Sequence, residues 1–202
     1  GAKVSDKIGV ISNMIEKVDT IIIGGGMANT FLAAQGLNVG KSLTEPDTYD
    51  LARKLYAKAH ARNVKMVLPV DVVVADDFSA EARHKVVRID AIGSEWQALD
   101  AGPKTRELYA PTLHGAKTIV WNGPMGVFEF DAFAAGTEAM ARAVAKATKA
   151  GAVSIVGGGD SIAALKKTGL SNAISHISTG GGATLEYLEG KELPGIAAMV
   201  DR

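Results

Sequence analysis

Val153-Ser154-Ile155-Val156-Gly157-Gly158-Gly159-Asp160-Ser161 is the stretch of sequence that decides the fold class. An apolar run leads directly into three glycines, as it also does at residues 20–26 and 177–182, and in two of the three places a possible helix start follows. A strand that ends in bare backbone at a helix start presents unpaired N–H groups at the positive end of the helix dipole. Because this arrangement suits a phosphate group, three copies in one chain predict a nucleotide site.

The order of the predicted elements extends this pattern to a whole domain. Strands are predicted at residues 20–23, 65–68, 71–75, 86–89, 118–121, 152–156 and 175–178. Helices are predicted at residues 5–17 (capped by Ser5), 27–34, 47–62, 104–113, 131–149, 161–167 and 184–188. Alternating strands and helices favour a doubly wound α/β fold, a Rossmann-like three-layer sandwich with a mainly parallel sheet. In such sheets ligands bind at the carboxyl ends of the strands, where all three glycine triplets lie.

Composition excludes several other classes of protein. The 202 residues are 47% hydrophobic and 22% charged, as expected for a soluble globular protein of one large or two small domains. Lys plus Arg equals Asp plus Glu, so there is no bulk basic field for nucleic acid or an anionic membrane. The absence of cysteine excludes disulfides, thiolate metal sites and catalytic thiols. No apolar run approaches the ~20 residues that span a bilayer.

Asp160 is the candidate metal ligand of the second glycine triplet. A carboxylate beside phosphates implies a divalent cation between them, and Mg²⁺ prefers one or two carboxylates together with phosphate oxygens. The alternative is an acidic N-cap that complements the helix dipole, and Ser161 is also a candidate cap. Neither a Walker loop nor a dinucleotide fingerprint is present, which disfavours P-loop proteins and dehydrogenases.

Two further segments are candidates for ligand contacts. Lys3 and Lys7 are spaced by one helical turn, so both ammonium groups can face a transferring phosphoryl group; the alternative is a solvated pair beside Asp6. In the segment 121–129, Met125, Val127 and Phe128 are candidates to form a slot for a flat base, and Glu129 a candidate to bind ribose. The alternative there is a tight turn that buries Phe128. The four histidines lack metal spacing and receive no catalytic role.

Eight segments together resemble one known family, in that family's order. The most specific is Val120-Trp121-Asn122-Gly123-Pro124-Met125-Gly126-Val127-Phe128-Glu129. The others are residues 1–7, 23–28, 68–71, 100–103, 157–161, 176–182 and 188–195. The chain resembles phosphoglycerate kinase, and the matching part is the C-terminal, nucleotide-binding half.

The resemblance implies an activity and a set of site residues. Family members transfer a phosphoryl group between ATP and 3-phosphoglycerate, giving ADP and 1,3-bisphosphoglycerate in glycolysis, and they are cytoplasmic. Asp160 would hold Mg²⁺. The catalytic residues implied are Lys3, Lys7, Gly180, Gly181 and Gly182. The ADP- or ATP-binding residues implied are Lys7, Gly25, Gly26, Gly102, Asn122, Pro124, Val127, Glu129, Gly157, Gly158, Gly159, Asp160 and Ser161.

The chain departs from the family in lacking the N-terminal domain that binds 3-phosphoglycerate or 1,3-bisphosphoglycerate. It starts inside the Gly-Gly-Ala-Lys motif, so the strand expected just before it is also missing. We therefore expect residues 1–202 to be a single nucleotide-binding domain with a gap in its sheet, inactive alone, from an enzyme that is monomeric when intact. The alternative is a non-catalytic nucleotide-binding or assembly module whose bare sheet edge recruits a second copy.

Overall fold

A computed structural model describes residues 1–199 and shows alternating helices and strands. The helices are α1 (Ile8–Met14), α2 (Gly26–Ala34), α3 (Tyr49–Ala61), α4 (Pro103–Thr112), α5 (Ala135–Lys149), α6 (Gly159–Lys167), α7 (Gly182–Leu188) and α8 (Pro194–Ala197). The strands are β1 (Thr20–Ile22), β2 (Lys65–Val67), β3 (Asp71–Ala75), β4 (His84–Arg88), β5 (Gln97–Ala101), β6 (Thr118–Asn122), β7 (Val153–Gly157) and β8 (His176–Ser178). Short 3₁₀ helices cover Ser5–Lys7, Pro46–Thr48, Asp131–Phe133 and Ser171–Ala173.

Parallel strands flanked by helices confirm the predicted α/β class. β1 pairs with β2, and β6, β7 and β8 pair in that order, all in parallel. The two groups are not hydrogen-bonded to each other within residues 1–199. The amino group of Gly1 donates to the carbonyls of Gly24 (3.3 Å) and Pro124 (3.2 Å), and so joins the segments that follow β1 and β6.

An antiparallel sheet of β4, β3 and β5 is the main addition to the predicted architecture. The sequence predicts two of its strands, at residues 71–75 and 86–89, but it does not predict β5. The pairing of β3 with β5 contains a register shift between Val73 and Val74. β5 matters for the site because it ends at Asp100 and Ala101, which line the cavity described below.

Two hydrophobic clusters hold the helices against the parallel strands. One joins α1, α2 and α3 through residues such as Ile11, Phe31 and Leu55. The other joins β6 and β7 to α5 and α6 through residues such as Trp121, Val144 and Leu165. Burial of these apolar side chains is the main stabilising contribution to the fold. No helix in the described part of the chain is both long and apolar enough to cross a membrane.

The first helix begins differently from the prediction. Residues 1–4 are irregular, Ser5–Lys7 form a 3₁₀ turn, and α1 starts at Ile8. Ser5 is not a helix cap, because its hydroxyl donates to Glu45 instead. Lys3 therefore precedes the first helical residue, and the argument that Lys3 and Lys7 are separated by one turn of a single helix is wrong.

Candidate functional site

All three glycine triplets join a strand to a helix, at β1–α2, β7–α6 and β8–α7. In each case the middle glycine is the helix N-cap and the last glycine is the first helical residue. Gly25 has a φ of 70°, and a Cβ added there would lie 2.8 Å from the Gly1 carbonyl oxygen. Both the backbone conformation and the close contact require glycine at that position. Each triplet thus stands at the N-terminus of a helix.

A cavity of about 540 Å³ lies beside the first triplet, within the size range of small-molecule sites. It contacts the first triplet, the end of β5 and the turn that follows β6. Seven of the residues proposed from the sequence line it: Gly25, Gly26, Pro124, Met125, Val127, Glu129 and Asp160. Its walls are largely apolar or bare backbone, which suits a flat ring with few polar contacts.

The N-terminus of α5 holds both walls of this cavity. The Gly136 N–H donates to Asp100 Oδ2 (2.8 Å), which fixes the β5 wall. The Thr137 hydroxyl oxygen accepts a hydrogen bond from the Met125 N–H (3.0 Å), which fixes the turn after β6. The two walls are also joined directly, because the Val127 N–H donates to the Leu99 carbonyl (2.9 Å). The width of the cavity is therefore set by hydrogen bonds between well-packed elements.

Asp100 is the buried charged group of this cavity. Its relative exposure is 4%, and Oδ1 has no hydrogen-bond partner among the described residues. Burial raises the pKa of the Asp100 carboxyl to about 7, although the Gly136 N–H and the charge of Arg106 act in the opposite direction. Asp100 is not among the site residues predicted from the sequence, because nothing in the sequence indicates that β5 forms a cavity wall.

A polar cluster lies next to the cavity, between the second glycine triplet and the start of the chain. Lys7 Nζ donates to Asn122 Oδ1 (2.7 Å), and the Gly123 N–H donates to Ser161 Oγ (2.6 Å). A Cβ added to Gly158 would lie 3.3 Å from Asn122 Oδ1, so the second triplet adjoins the same amide. Burial lowers the pKa of Lys7, opposed by the carboxylates of Asp6 and Asp160.

Asp160 and Ser161 lie inside α6, so neither is its N-cap. The N-cap is Gly158, and the helix begins at Gly159, two residues before the predicted start. Ser161 is buried and uses its hydroxyl to hold Gly123, which corrects its assignment as a cap. The side chain of Asp160 is exposed and has no hydrogen bond to another described residue. Its carboxylate therefore remains available at the edge of the cavity.

Four other predicted features lie away from the cavity. Lys3 is exposed and does not line it. Gly102 packs against the Asp71 carboxylate, while its neighbours Asp100 and Ala101 contact the cavity. Phe128 is buried against Ala134 and Ala164, so it does not contribute to a base slot. Gly180, Gly181 and Gly182 follow β8, whose Ser178 pairs with Gly157, so the third triplet adjoins the second.

The outer rim of the cavity consists of residues that the sequence analysis missed. Leu43, Phe78 and Phe130 line it, and the rings of Phe78 and Phe130 meet edge to face at 5.5 Å. Leu43 and Phe78 are more than half exposed. Their positions in loops far apart in the chain left no periodic signal. Within residues 1–199, no group of three or more His, Asp or Glu side chains could hold a metal ion.

Comparison with known proteins matches the whole of this architecture to one family. The family profile described as phosphoglycerate kinase matches residues 1–191. A phosphoglycerate kinase of Chloroflexus aggregans is 59% identical over 201 residues, covering 100% of this chain and 50% of that protein. One from Synechococcus is 60% identical over 199 residues, covering 98% of this chain and 48% of that protein.

A solved structure supports the same relationship in three dimensions. Phosphoglycerate kinase from Coxiella burnetii superposes with a TM-score of 0.94 at 53% sequence identity, covering 98% of this chain and 50% of that one. The chain thus spans about half the length of the relatives that it matches. Because the sequence profile, the curated relatives and the solved structure agree over nearly all of its length, the chain belongs to the phosphoglycerate kinase family.

Proposed function

We propose that this chain is the nucleotide-binding half of a phosphoglycerate kinase and that it binds MgADP and MgATP. The observation that carries the proposal is the cavity bounded by the start of α2, with the free carboxylate of Asp160, in the first turn of α6, at its edge. A base requires a narrow apolar slot, and phosphates require N–H groups with positive charge. An apolar cavity and a helix N-terminus with Lys7 beside it are adjacent here. Membership in the family supports adenine nucleotides as the ligands.

The base is assigned to the cavity between the first glycine triplet and the turn after β6. Gly25 and Gly26 supply one bare-backbone wall, and Pro124 and Val127 supply the other. Glu129 lines the same cavity, is exposed, and is the candidate acceptor for ribose hydroxyls. Gly102 follows β5 and packs against Asp71, and through this contact it supports the β5 side of the cavity.

The phosphates are assigned to the N-terminus of α6 and the neighbouring polar cluster. Gly157 ends β7, Gly158 is the N-cap of α6 and Gly159 is its first residue, so the N–H groups of the first helical turn lie there without intrahelical partners. Ser161 holds the adjacent turn at Gly123. Lys7 is the principal cation, and its bond to Asn122 keeps the ammonium group beside α6. The buried Nδ2 of Asn122 has no partner among the described residues, so this amide can donate to a phosphate oxygen.

Asp160 is the residue that would hold Mg²⁺. One exposed carboxylate without other partners fits this ion, which takes its remaining ligands from phosphate oxygens and water. When bound, Mg²⁺ would neutralise negative charge on the phosphates. The described part of the chain offers no cluster of three acidic or histidine ligands, so a cation site built from protein ligands alone is not proposed.

The parent reaction is proposed to be phosphoryl transfer between ATP and 3-phosphoglycerate. Lys3 and Lys7 would offset charge on the transferring group, and the Gly180–Gly182 backbone would approach it at the N-terminus of α7. The second substrate is assigned to the N-terminal domain found in full-length relatives. Since each lost electrostatic contact lowers the rate by ~10²–10³-fold, we expect residues 1–202 alone to show no measurable turnover.

Calorimetry of the 202-residue chain with MgADP tests the binding proposal. We expect saturable binding of MgADP, weaker binding of ADP without metal, and a reduced metal dependence in the variant Asp160→Asn. A folded sample that shows no heat with MgADP would contradict the assignment. A coupled enzymatic assay tests the second part, and turnover comparable to a full-length relative would show that the other half is dispensable.

The unpaired strand edges favour a second candidate function, a module that assembles with another copy. β1 pairs with β2 alone and β6 pairs with β7 alone, so each leaves one edge unpaired within the described residues. Such edges are templates for strand addition. Size-exclusion chromatography with light scattering distinguishes the candidates: a stable dimer without nucleotide supports assembly, and a monomer at all concentrations argues against it.

A further inference from the structure

The carboxylate of Glu45 accepts hydrogen bonds from residues 3–7, the segment that carries both lysines of the proposed phosphate site. Glu45 Oε2 accepts hydrogen bonds from the N–H groups of Val4 (2.6 Å) and Ser5 (3.1 Å). Oε1 accepts a third from the Ser5 hydroxyl. These contacts span 40 residues of sequence and are charge-assisted, a class of hydrogen bond about twice as strong as a neutral one. Glu45 is therefore a long-range anchor for residues 3–7.

The backbone of Glu45 is itself fixed by hydrogen bonds to Thr30 and Thr48. The N–H of Glu45 donates to the hydroxyl of Thr30 (3.2 Å), a fully buried residue of α2. Its carbonyl accepts from both the N–H (2.9 Å) and the hydroxyl (2.8 Å) of Thr48, immediately before α3. Partial desolvation opposes the charge of Glu45, but hydrogen bonds from Ser5 and Val4 and the charge of Lys3 keep its pKa below the usual value. The carboxylate is thus ionised at neutral pH.

The segment of residues 3–7 has no regular structure before Ser5, so its position depends on contacts with other parts of the chain. The N–H of Lys7 donates to the Val4 carbonyl (3.0 Å), so contacts that fix Val4 also fix the backbone of Lys7. Val4 is fully buried and supplies the apolar half of the attachment. Glu45 supplies the polar half, and it does not line the cavity, so it acts through other residues.

We propose that Glu45 is a positioning residue for phosphate binding, which holds the Lys3–Lys7 segment so that its ammonium groups meet the phosphates of the nucleotide. The proposal rests on the proposed function, because it presumes that these lysines bind phosphate. It assigns Glu45 an effect on the phosphate end of the ligand only. The base slot is held by α5, through bonds that do not involve Glu45.

Calorimetry with two ligands tests this separation. The variant Glu45→Gln keeps the size of the side chain but removes its charge, and releasing about one residue of backbone corresponds to roughly tenfold weaker MgADP binding. Affinity for adenosine, which has no phosphate, is expected to stay unchanged. The matched control is Asp47→Asn, which removes an exposed carboxylate two residues away that has no hydrogen bond to the segment in the described structure. Its affinities for both ligands should equal those of the wild type.

A double-mutant comparison separates positioning from general destabilisation. In a Lys7→Ala background, the added effect of Glu45→Gln on MgADP affinity should fall to roughly threefold or less, because interacting residues are non-additive. If Glu45→Gln does not fold, Ser5→Ala removes one of the three bonds, and a smaller loss confined to MgADP is expected.

Three results with the variants would overturn the proposal. They are an unchanged MgADP affinity in Glu45→Gln, an equal loss of adenosine and MgADP affinity, or a full tenfold effect that persists without Lys7. Equal affinities of the wild-type chain for adenosine and MgADP would overturn the role of Glu45 as well, but would leave the assignment of the base slot standing. A folded wild type that binds neither ligand would overturn the proposed function and Glu45's role together.

Discussion

Replacing Asp100 with asparagine should convert a pH-dependent contribution to stability into a constant one. The carboxyl is 4% exposed, with one oxygen bonded to the Gly136 N–H and the other unpaired. Asparagine has the same shape, keeps an oxygen that can accept the Gly136 hydrogen bond, and carries no charge. Asp100→Asn therefore imitates the protonated acid at every pH, and the comparison with wild type isolates the ionisation of this one group.

The size of the effect follows from the pKa of Asp100. Folding raises it from 3.8 to about 7, so over this range the folded chain binds the proton more tightly than the unfolded chain. The contribution of Asp100 to stability is therefore fully present below pH 3.8 and is lost as the pH rises through about 7. With about 1.4 kcal/mol per pKa unit, the loss between pH 5 and pH 8 is about 3 kcal/mol. Asp100→Asn, which has no carboxyl to ionise, does not show this loss of stability.

Urea denaturation of both proteins at pH 5 and pH 8 measures this difference. The pH dependence of wild-type stability does not isolate Asp100, because a second group also titrates between pH 5 and pH 8. Burial, and then the charge of Lys7, lower the pKa of the Gly1 amino group to about 5. That group favours folding as the pH rises over the same range and so masks Asp100, but it is identical in the variant. We expect the stability of Asp100→Asn relative to wild type to increase by about 3 kcal/mol from pH 5 to pH 8. A relative stability that is the same at both pH values would refute the reasoning.

Three other substitutions test separate parts of the structure. Thr105→Val leaves the N–H groups of Val70 and Asp71 unpaired, so urea denaturation should show a loss of about 3 kcal/mol. Gly126→Ala places a Cβ 2.2 Å from Asp100 Oδ1, and the same assay should show a loss of about 2 kcal/mol; wild-type stability would contradict the tight packing. Lys7→Ala should weaken MgADP binding about tenfold at low salt and less at high salt, whereas Lys166→Ala, an exposed lysine of α6, should not; a salt-independent loss would contradict a charge effect.

The elements predicted most accurately are those whose local sequence and surroundings agree. α2 and α5 were found within a few residues, because glycine marks the start of α2 and apolar residues at helical spacing mark the buried face of α5. β5 was missed because Gln97–Ala101 contains no β-branched residue; it forms a strand through its pairing with β3. Its side chains define a cavity wall only after that pairing, so local propensity could not indicate the wall.

The candidate site was predicted in outline, and the errors have a common physical cause. Ser161 and Ser5 were assigned as helix caps from residue preference, but both hydroxyls make longer-range bonds, to Gly123 and Glu45. α6 begins at Gly159 after Gly158, whose backbone adopts the required conformation without a side-chain cap. α1 begins at Ile8, after the 3₁₀ turn Ser5–Lys7, also without a side-chain cap. Similarly, the roles of Asp100 and Glu45 depend on contacts across 36 and 40 residues, which no local pattern carries.

Separate anchors for the two ends of the proposed ligand imply that base binding and phosphate binding can be altered independently. The N-terminus of α5 fixes the base slot through Asp100 and Thr137, whereas Glu45 and Asn122 fix the lysine segment beside α6. All of these anchors lie within residues 1–199, so nucleotide binding should need no contact from the other half of a full-length relative. Phosphoryl transfer is different, because it requires a second substrate positioned against the same phosphates. Binding should therefore persist in this chain under conditions where turnover is absent.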